Sequence, residues 1–214
     1  MTIKKVEVGH YSIPLPVVLS DSMHGDMYGF ELMTVRVSDV EGREGLGYTY
    51  TLGAGARAIH SVMEADMVPF LLGRDETRIE EIWQSLWWKL HYAGRGGLAI
   101  HALSAIDVAL WDLLGKRTDL PLWRLLGGSN PEVKAYAGGI DLMFTLDELL
   151  AQTEKNLSKG FRAIKMKVGR DNLYEDIERI GAMRSHLGVN FPLMVDANMR
   201  WTVDEAIRAA RAFR

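Results

Sequence analysis

Three short segments rich in apolar residues, at positions 133–137, 163–168 and 192–197, begin about 30 residues apart, and this recurrence constrains the fold more than any other feature of the chain. Between them, Thr145-Leu146-Asp147-Glu148 and Thr202-Val203-Asp204-Glu205 have the Thr-x-x-Glu spacing of capping boxes. Each therefore predicts a helix of about 12 to 17 residues, the length that a right-handed crossover between parallel strands requires. Consecutive βα units of this kind build either a doubly wound sheet or an eightfold barrel. The glycine-rich phosphate turn of a dinucleotide-binding sheet is missing: Gly138-Gly139 lacks the G-x-G-x-x-G spacing and precedes a long loop. The barrel is favoured. From Val133 onward about 80 residues remain, room for about three units of about 30 residues. Such a chain cannot close a barrel alone, and it is expected to be the amino-terminal part of a longer protein.

The residues before the repeat follow a different pattern. Positions 3–15 alternate around Val6, Val8, Tyr11 and Ile13, and positions 29–38 around Phe30, Leu32, Thr34 and Arg36; Glu41-Gly42 supplies a turn before 45–50. These predict a three-stranded antiparallel meander. Helical spacing follows over 56–72, 79–92 and 98–116, the second opened by a candidate capping box, Thr77-Arg78-Ile79-Glu80. Strands followed by segregated helices imply an α+β domain. Turn and breaker residues collect in Leu126-Gly127-Gly128-Ser129-Asn130-Pro131, placing the boundary between an α+β domain at 1–128 and the start of a (β/α) barrel at 129–214. Trp83, Trp87 and Trp88, with Leu86 and Leu90, fit a helix packing face better than a platform for a ligand.

Charge and composition exclude several partners. The net charge is −3 with both signs interspersed, so no basic stripe exists to follow a nucleic-acid backbone. Cysteine is absent, which removes disulfides and thiolate metal sites and suits a reducing compartment. The first residues lead into an alternating segment broken by Pro14 and Pro16 instead of a secretory signal, and the most apolar later region is interrupted by Asp107 and Asp112. The reading is a cytoplasmic protein without a membrane span.

Chemistry concentrates at two strand ends. In a strand, residues i and i+2 share a face, so Lys165 and Lys167 point the same way while Ile164, Met166 and Val168 face the covering helices. An arbitrary K-x-K is more often a solvated edge strand, but here it lies between two amphipathic helices, where a strand is central and covered. Mutual repulsion and desolvation are expected to lower the proton affinity of two such amines, which would make one a base near neutral pH. One unit later, Asp196 and Asn198 are expected to share a face. Asp196 offers a hard oxygen ligand suited to Mg²⁺, and Asn198 an amide for a substrate hydroxyl or carboxylate. The competing reading makes either residue merely a cap of the loop before the helix at Thr202.

These motifs together resemble the enolase superfamily, in particular its mandelate racemase and muconate lactonizing enzyme group. The resemblance runs through Ala102-Leu103-Ser104-Ala105-Ile106-Asp107-Val108-Ala109-Leu110-Trp111-Asp112, then Pro121-Leu122-Trp123-Arg124-Leu125-Leu126-Gly127, the K-x-K strand, and Val195-Asp196-Ala197-Asn198. It implies an amino-terminal capping domain over a modified (β/α) barrel and a homo-oligomer. It also implies one Mg²⁺ that holds a substrate carboxylate and stabilises the enediolate formed when the α-proton is removed. By position, Lys167 would be the base, Lys165 the neighbouring cation that binds the carboxylate and tunes that base, and Asp196 the first metal ligand. Two further acidic ligands and a second acid/base would come from later strands. The resemblance makes residues 19–28 and 48–53 mobile capping-domain loops that select substrate, with His24 and Tyr50 as contacts. Asp107 and Asp112 fall in the capping domain, where hydrogen bonding or ion pairing is expected.

The leading functional expectation is dehydration of an acid sugar. Racemisation, epimerisation or cycloisomerisation of a hydroxy acid would share the same first step. A non-catalytic binding or assembly protein is the alternative of another class, should the chain end at residue 214.

Overall fold

A computed structural model describes all residues, Met1–Arg214, and divides into two compact units. The first comprises Met1–Pro14 with Gly29–Pro131; the second comprises Leu15–Tyr28 with Glu132–Arg214.

The antiparallel meander runs through β1 (Ile3–Asp21), β2 (Gly25–Asp39) and β3 (Glu44–Thr51), in that order; all of it belongs to the first unit except the hairpin end at Leu15–Tyr28. β2 and β3 pair from Glu31↔Thr51 to Ser38↔Glu44 across the turn at Gly42. Both β1 and β2 run further than their alternation suggests. The segment expected to form a loop at 19–28 is therefore the end of a hairpin with a tight turn, and most of 48–53 is strand, because cross-strand bonds satisfy a backbone whose side chains are polar.

Helices follow at α1 (Ala56–Val62), joined through a π-helical turn at Met63–Met67 to α2 (Val68–Leu71), then α3 (Ile79–Lys89), α4 (Leu98–Thr118) and α5 (Leu122–Leu125). The expected Thr77–Glu80 capping box does not form. Arg78 precedes α3 without a side-chain cap, and the Thr77 hydroxyl donates instead to Asp75. Helix α4 lies on β3, where Gly45 and Gly47 allow the backbones to meet: a Cβ at Gly47 would stand 1.9 Å from the Ala105 carbonyl oxygen, and one at Gly45 would stand 2.0 Å from that of Ala109. By length and mean hydropathy (1.5) α4 could pass for a membrane span, but its Ala102, Ala105, Ile106, Ala109, Leu110 and Leu113 are core residues of this unit. Asp112 accepts the Leu46 N–H and the Lys116 ammonium, which ties α4 to β3, and Trp111 bonds the half-buried Asp107. Trp83 and Trp87 pack on the core, whereas Trp88 is exposed, with the Arg95 guanidinium stacked over Trp87 and Trp88.

The second unit alternates β4 (Ala137–Gly138), α6 (Leu146–Ser158), β5 (Ile164–Lys167), α7 (Leu173–Leu187), β6 (Leu193–Asp196) and α8 (Val203–Ala212). The three strands are parallel and adjacent in sequence order, the arrangement with which a (β/α) barrel begins. Both Thr-x-x-Glu boxes form: the Thr145 and Thr202 side chains accept the N–H of Glu148 and Glu205, whose carboxylates return to the cap N–H groups. The strand expected at 133–137 shrinks to two residues, because Val133 and its neighbours find no partner strand and lie exposed. Met166, Val168, Ile164, Leu149 and Met183 form the core between sheet and helices.

Candidate active site

The alternation on β5 does what its period requires. Ile164, Met166 and Val168 are buried, and Lys165 and Lys167 emerge on the other face. The β5–β6 register pairs Lys167 with Asp196, so the ends of the two strands bring the three charged side chains together. Each ammonium lies 2.9 Å from the same oxygen, Oδ2 of Asp196. The Lys167 side chain is 8% exposed and that of Lys165 27%; Lys165 also lies over the Tyr136 ring at 5.7 Å.

For Lys165 this arrangement corrects the expectation of a lowered proton affinity. A carboxylate sits between the two amines, and for Lys165 its hydrogen bond raises the proton affinity above the ordinary value despite partial burial. Asp196 is held well below the usual carboxylate range, by the Asn198 N–H first and then by Lys165 and Lys167. It is therefore a firmly ionised oxygen donor at the carboxyl end of a parallel strand.

Asn198 does not continue the strand face. β6 ends at Asp196, and Asn198 and Met199 adopt left-handed backbone conformations (φ 44° and 61°) in a turn closed by the Asn198 N–H on Asp196 Oδ1 at 3.0 Å. Asp196 thus also serves the turn, as the capping alternative required, while Thr202 caps α8. The Asn198 Oδ1 atom is buried and accepts no hydrogen bond within the protein.

His24 lies in the hairpin turn of the second unit. Asp21 accepts both the Met23 and His24 N–H groups, and its Oδ2 is 2.9 Å from His24 Nδ1. Burial pushes the Asp21 carboxyl up, but the bonds from the His24 N–H, the His24 ring and the Met23 N–H outweigh it and hold the group below its ordinary value. The turn is anchored: the Ser22 hydroxyl donates to the Ala197 carbonyl at 2.5 Å, next to Asp196, and Ser20 exchanges backbone bonds with Ile140 and Leu142. Tyr50 belongs to the first unit, where it is exposed and edge-on to Phe30 at 5.6 Å. Sequence reasoning missed Ser22 and the buried Asp141, whose Oδ1 accepts the Lys167 N–H at 2.8 Å. Nothing local distinguishes either residue from ordinary turn chemistry.

A divalent cation such as Mg²⁺ takes about six oxygen ligands. Among these residues no group of three His, Asp or Glu side chains stands close enough to hold a metal ion, so Asp196 is one suitable donor and not a complete site.

An antiparallel α+β unit and a parallel βα series carrying lysines and an aspartate on adjacent strand ends define a capped (β/α)-barrel protein, of which the cap and the first barrel units are present. Residues 4–127 match the family described as mandelate racemase / muconate lactonizing enzyme, N-terminal domain, and residues 148–214 match enolase C-terminal domain-like proteins. The chain belongs to the mandelate racemase / muconate lactonizing enzyme family of the enolase superfamily.

A 3,6-anhydro-alpha-L-galactonate cycloisomerase of Streptomyces coelicolor is 58% identical over 210 residues, covering 98% of this chain and 58% of the relative. An L-talarate/galactarate dehydratase of Salmonella typhimurium is 37% identical over 206 residues, covering 93% of this chain and 51% of the relative. A crystal structure of a racemase from Streptomyces coelicolor A3(2) with bound magnesium superposes with a TM-score of 0.95 at 58% identity, covering 98% of this chain and 59% of that one. That of the Salmonella typhimurium LT2 L-talarate/galactarate dehydratase, liganded with Mg and L-lyxarohydroxamate, gives 0.92 at 35% identity, covering 98% and 55%. The chain thus spans a little over half the length of these relatives.

Proposed function

We propose that this chain supplies the proton-abstracting side of an active site that enolises an acid-sugar carboxylate, with Lys167 as base. The gathering of Lys165, Lys167 and the oxygen donor Asp196 at the ends of adjacent strands carries this reading; Lys167 enters the step as the neutral amine, so the ammonium paired with Asp196 must first release its proton. A proton next to a carboxylate is too weakly acidic for an amine to remove unless positive charge is already arranged around the product. Lys165 provides such charge toward the substrate carboxylate. Asp196 serves as one Mg²⁺ ligand, with the others supplied from outside these 214 residues. A bound Mg²⁺ would hold the substrate carboxylate and offset the charge that builds as the α-proton leaves. Within the second unit, the unsatisfied Oδ1 of Asn198 is the proposed contact to a substrate hydroxyl or carboxylate and the Asp21-held ring of His24 a further substrate contact; the exposed Tyr50 of the first unit is proposed as a contact by the family resemblance alone.

After α-proton removal, expulsion of the oxygen on the β-carbon completes the reaction. A free β-hydroxyl, once protonated, departs as water. A β-oxygen that belongs to an anhydro ring stays attached at its other end, so the ring opens with no change in mass. Dehydration and cycloisomerisation therefore differ in the substrate and not in the first step. The family resemblance puts dehydration first, since the residues themselves do not separate the outcomes; the 58% identity to a relative named as a cycloisomerase, against 37% to one named as a dehydratase, favours the ring-opening outcome.

The intact protein, incubated with Mg²⁺ in deuterated water with 3,6-anhydro-L-galactonate or galactarate, tests this. The expected result is deuterium at the α-carbon of recovered substrate or at the former β-carbon of the 2-keto product, an isomer of the anhydro acid apart from that label, with both abolished in Lys167→Ala. Absence of both exchange and product with either compound would overturn the proposal.

A further inference from the structure

We infer that Asp141, a buried carboxylate in the loop between β4 and α6, is a positioning residue that fixes the catalytic lysine; this rests on the proposed role of Lys167. The strand geometry creates the need. β4 pairs with β5 at Ala137 and Gly138 and no further, and the last ladder contact is the Gly139 N–H on the Lys165 carbonyl. Lys167, two residues further along β5, presents its N–H to the side where β4 has already ended. A buried N–H must find an acceptor, and Asp141 supplies one: its Oδ1 lies 2.8 Å from Lys167 N. The side chain thereby extends the ladder by one rung beyond the end of the neighbouring strand.

The carboxylate is itself fixed from several directions. It is 1% exposed, and its Oδ2 accepts from Gln152 of α6 at 2.7 Å. The buried Arg179 of α7 donates to the Asp141 carbonyl at 2.8 Å and to that of Phe144 at 2.6 Å, with its guanidinium 3.8 Å from Oδ1. Arg170 holds the Leu142 and Phe144 carbonyls of the same loop. Gly139 provides the room, since a Cβ there would fall 1.7 Å from Asp141 Oδ2. A buried charge is costly unless it is paired and hydrogen-bonded. Here partners are arranged around a group whose Oδ1 is spent on one backbone N–H of the base. On the other side, Lys167 meets Asp196. The amine is thus held through its side chain by Asp196 and through its backbone by Asp141.

Removing the acceptor should let the end of β5 shift and misplace Lys167 Nζ relative to the α-proton. A misplacement of about 1 Å can cost about 100-fold in rate. In the intact protein, Asp141→Ala is expected to lower kcat for α-proton exchange about 100-fold while KM for the same acid sugar changes less than about two-fold. Asp141→Asn keeps an oxygen for the Lys167 N–H and should restore kcat to within about five-fold of the wild type. A purely structural role would lower the amount of folded enzyme and leave its kcat unchanged, which active-site titration separates. Equal kcat in all three proteins overturns the inference, as does equal impairment of the Asn and Ala variants. Should Lys167→Ala retain full exchange, the functional reading fails instead. Crystal structures of the Asp141→Ala and wild-type proteins then decide positioning alone: an unmoved Lys167 Nζ overturns it, and a displaced one supports it.

Discussion

Lys167 Nζ and Asp196 Oδ2 lie 2.9 Å apart at the ends of adjacent parallel strands, and Lys165 reaches the same oxygen from two residues away. One carboxylate therefore balances two ammonium groups at the position where the proposed substrate must be deprotonated. The predictions below start from that triangle.

Replacing the two lysines should separate their roles. Lys167→Ala is expected to reduce α-proton exchange by about 1,000-fold, within the range of a lost general base. Lys165→Ala should raise KM at least as strongly as it lowers kcat, because it removes charge that meets the substrate carboxylate before any bond breaks. Steady-state kinetics with NMR-detected exchange distinguishes them; identical kinetic effects would count against the assignment.

Asp196→Asn removes the shared counter-ion and leaves the buried Lys167 amine without it. The expected loss is about 1–2 kcal/mol at pH 7, below the 3–5 kcal/mol of a fully buried pair because Asp196 and Lys165 are partly solvated. The Asp196 carboxyl is depressed in the folded state, so its contribution is complete above its unfolded value near pH 4 and declines as pH falls from there toward the folded value. Thermal melts of the metal-free protein should show the gap between wild type and variant narrowing below pH 4. A gap that stays constant from pH 7 to 3 contradicts this.

Chelation offers a separate check on Asp196. Treating the intact protein with EDTA should abolish α-proton exchange, and Mg²⁺ should restore it; Asp196→Asn should need at least about ten-fold more Mg²⁺ for half-maximal activity. Full exchange in EDTA would remove the metal from the proposal.

Gly47→Ala probes the first unit. Its Cβ would meet the backbone oxygen of Ala105 at 1.9 Å and the Ala109 nitrogen at 2.7 Å, so α4 and β3 must separate. A destabilisation of about 3 kcal/mol is expected from such overpacking. Chemical denaturation measures it; a loss under about 0.5 kcal/mol would show that the two backbones part easily.

Much of this was written locally in the chain. The caps at Thr145 and Thr202 depend on residues three apart, and the common face of Lys165 and Lys167 on residues two apart, so both were legible and both are present. So was the βα recurrence, since each unit repeats its own apolar period. The extent of β4, the left-handed turn at Asn198, the length of the β1–β2 hairpin and the burial of Asp141 were not legible. The expectation that two lysines would depress one another considered only neighbours in sequence. Which carboxylate stands between them is set by the register of β6 on β5, across about 30 residues of helix and loop. The sequence by itself determined which groups share a face. Only the tertiary structure decided which charges meet, because that depends on pairing between elements whose contacts no local period records.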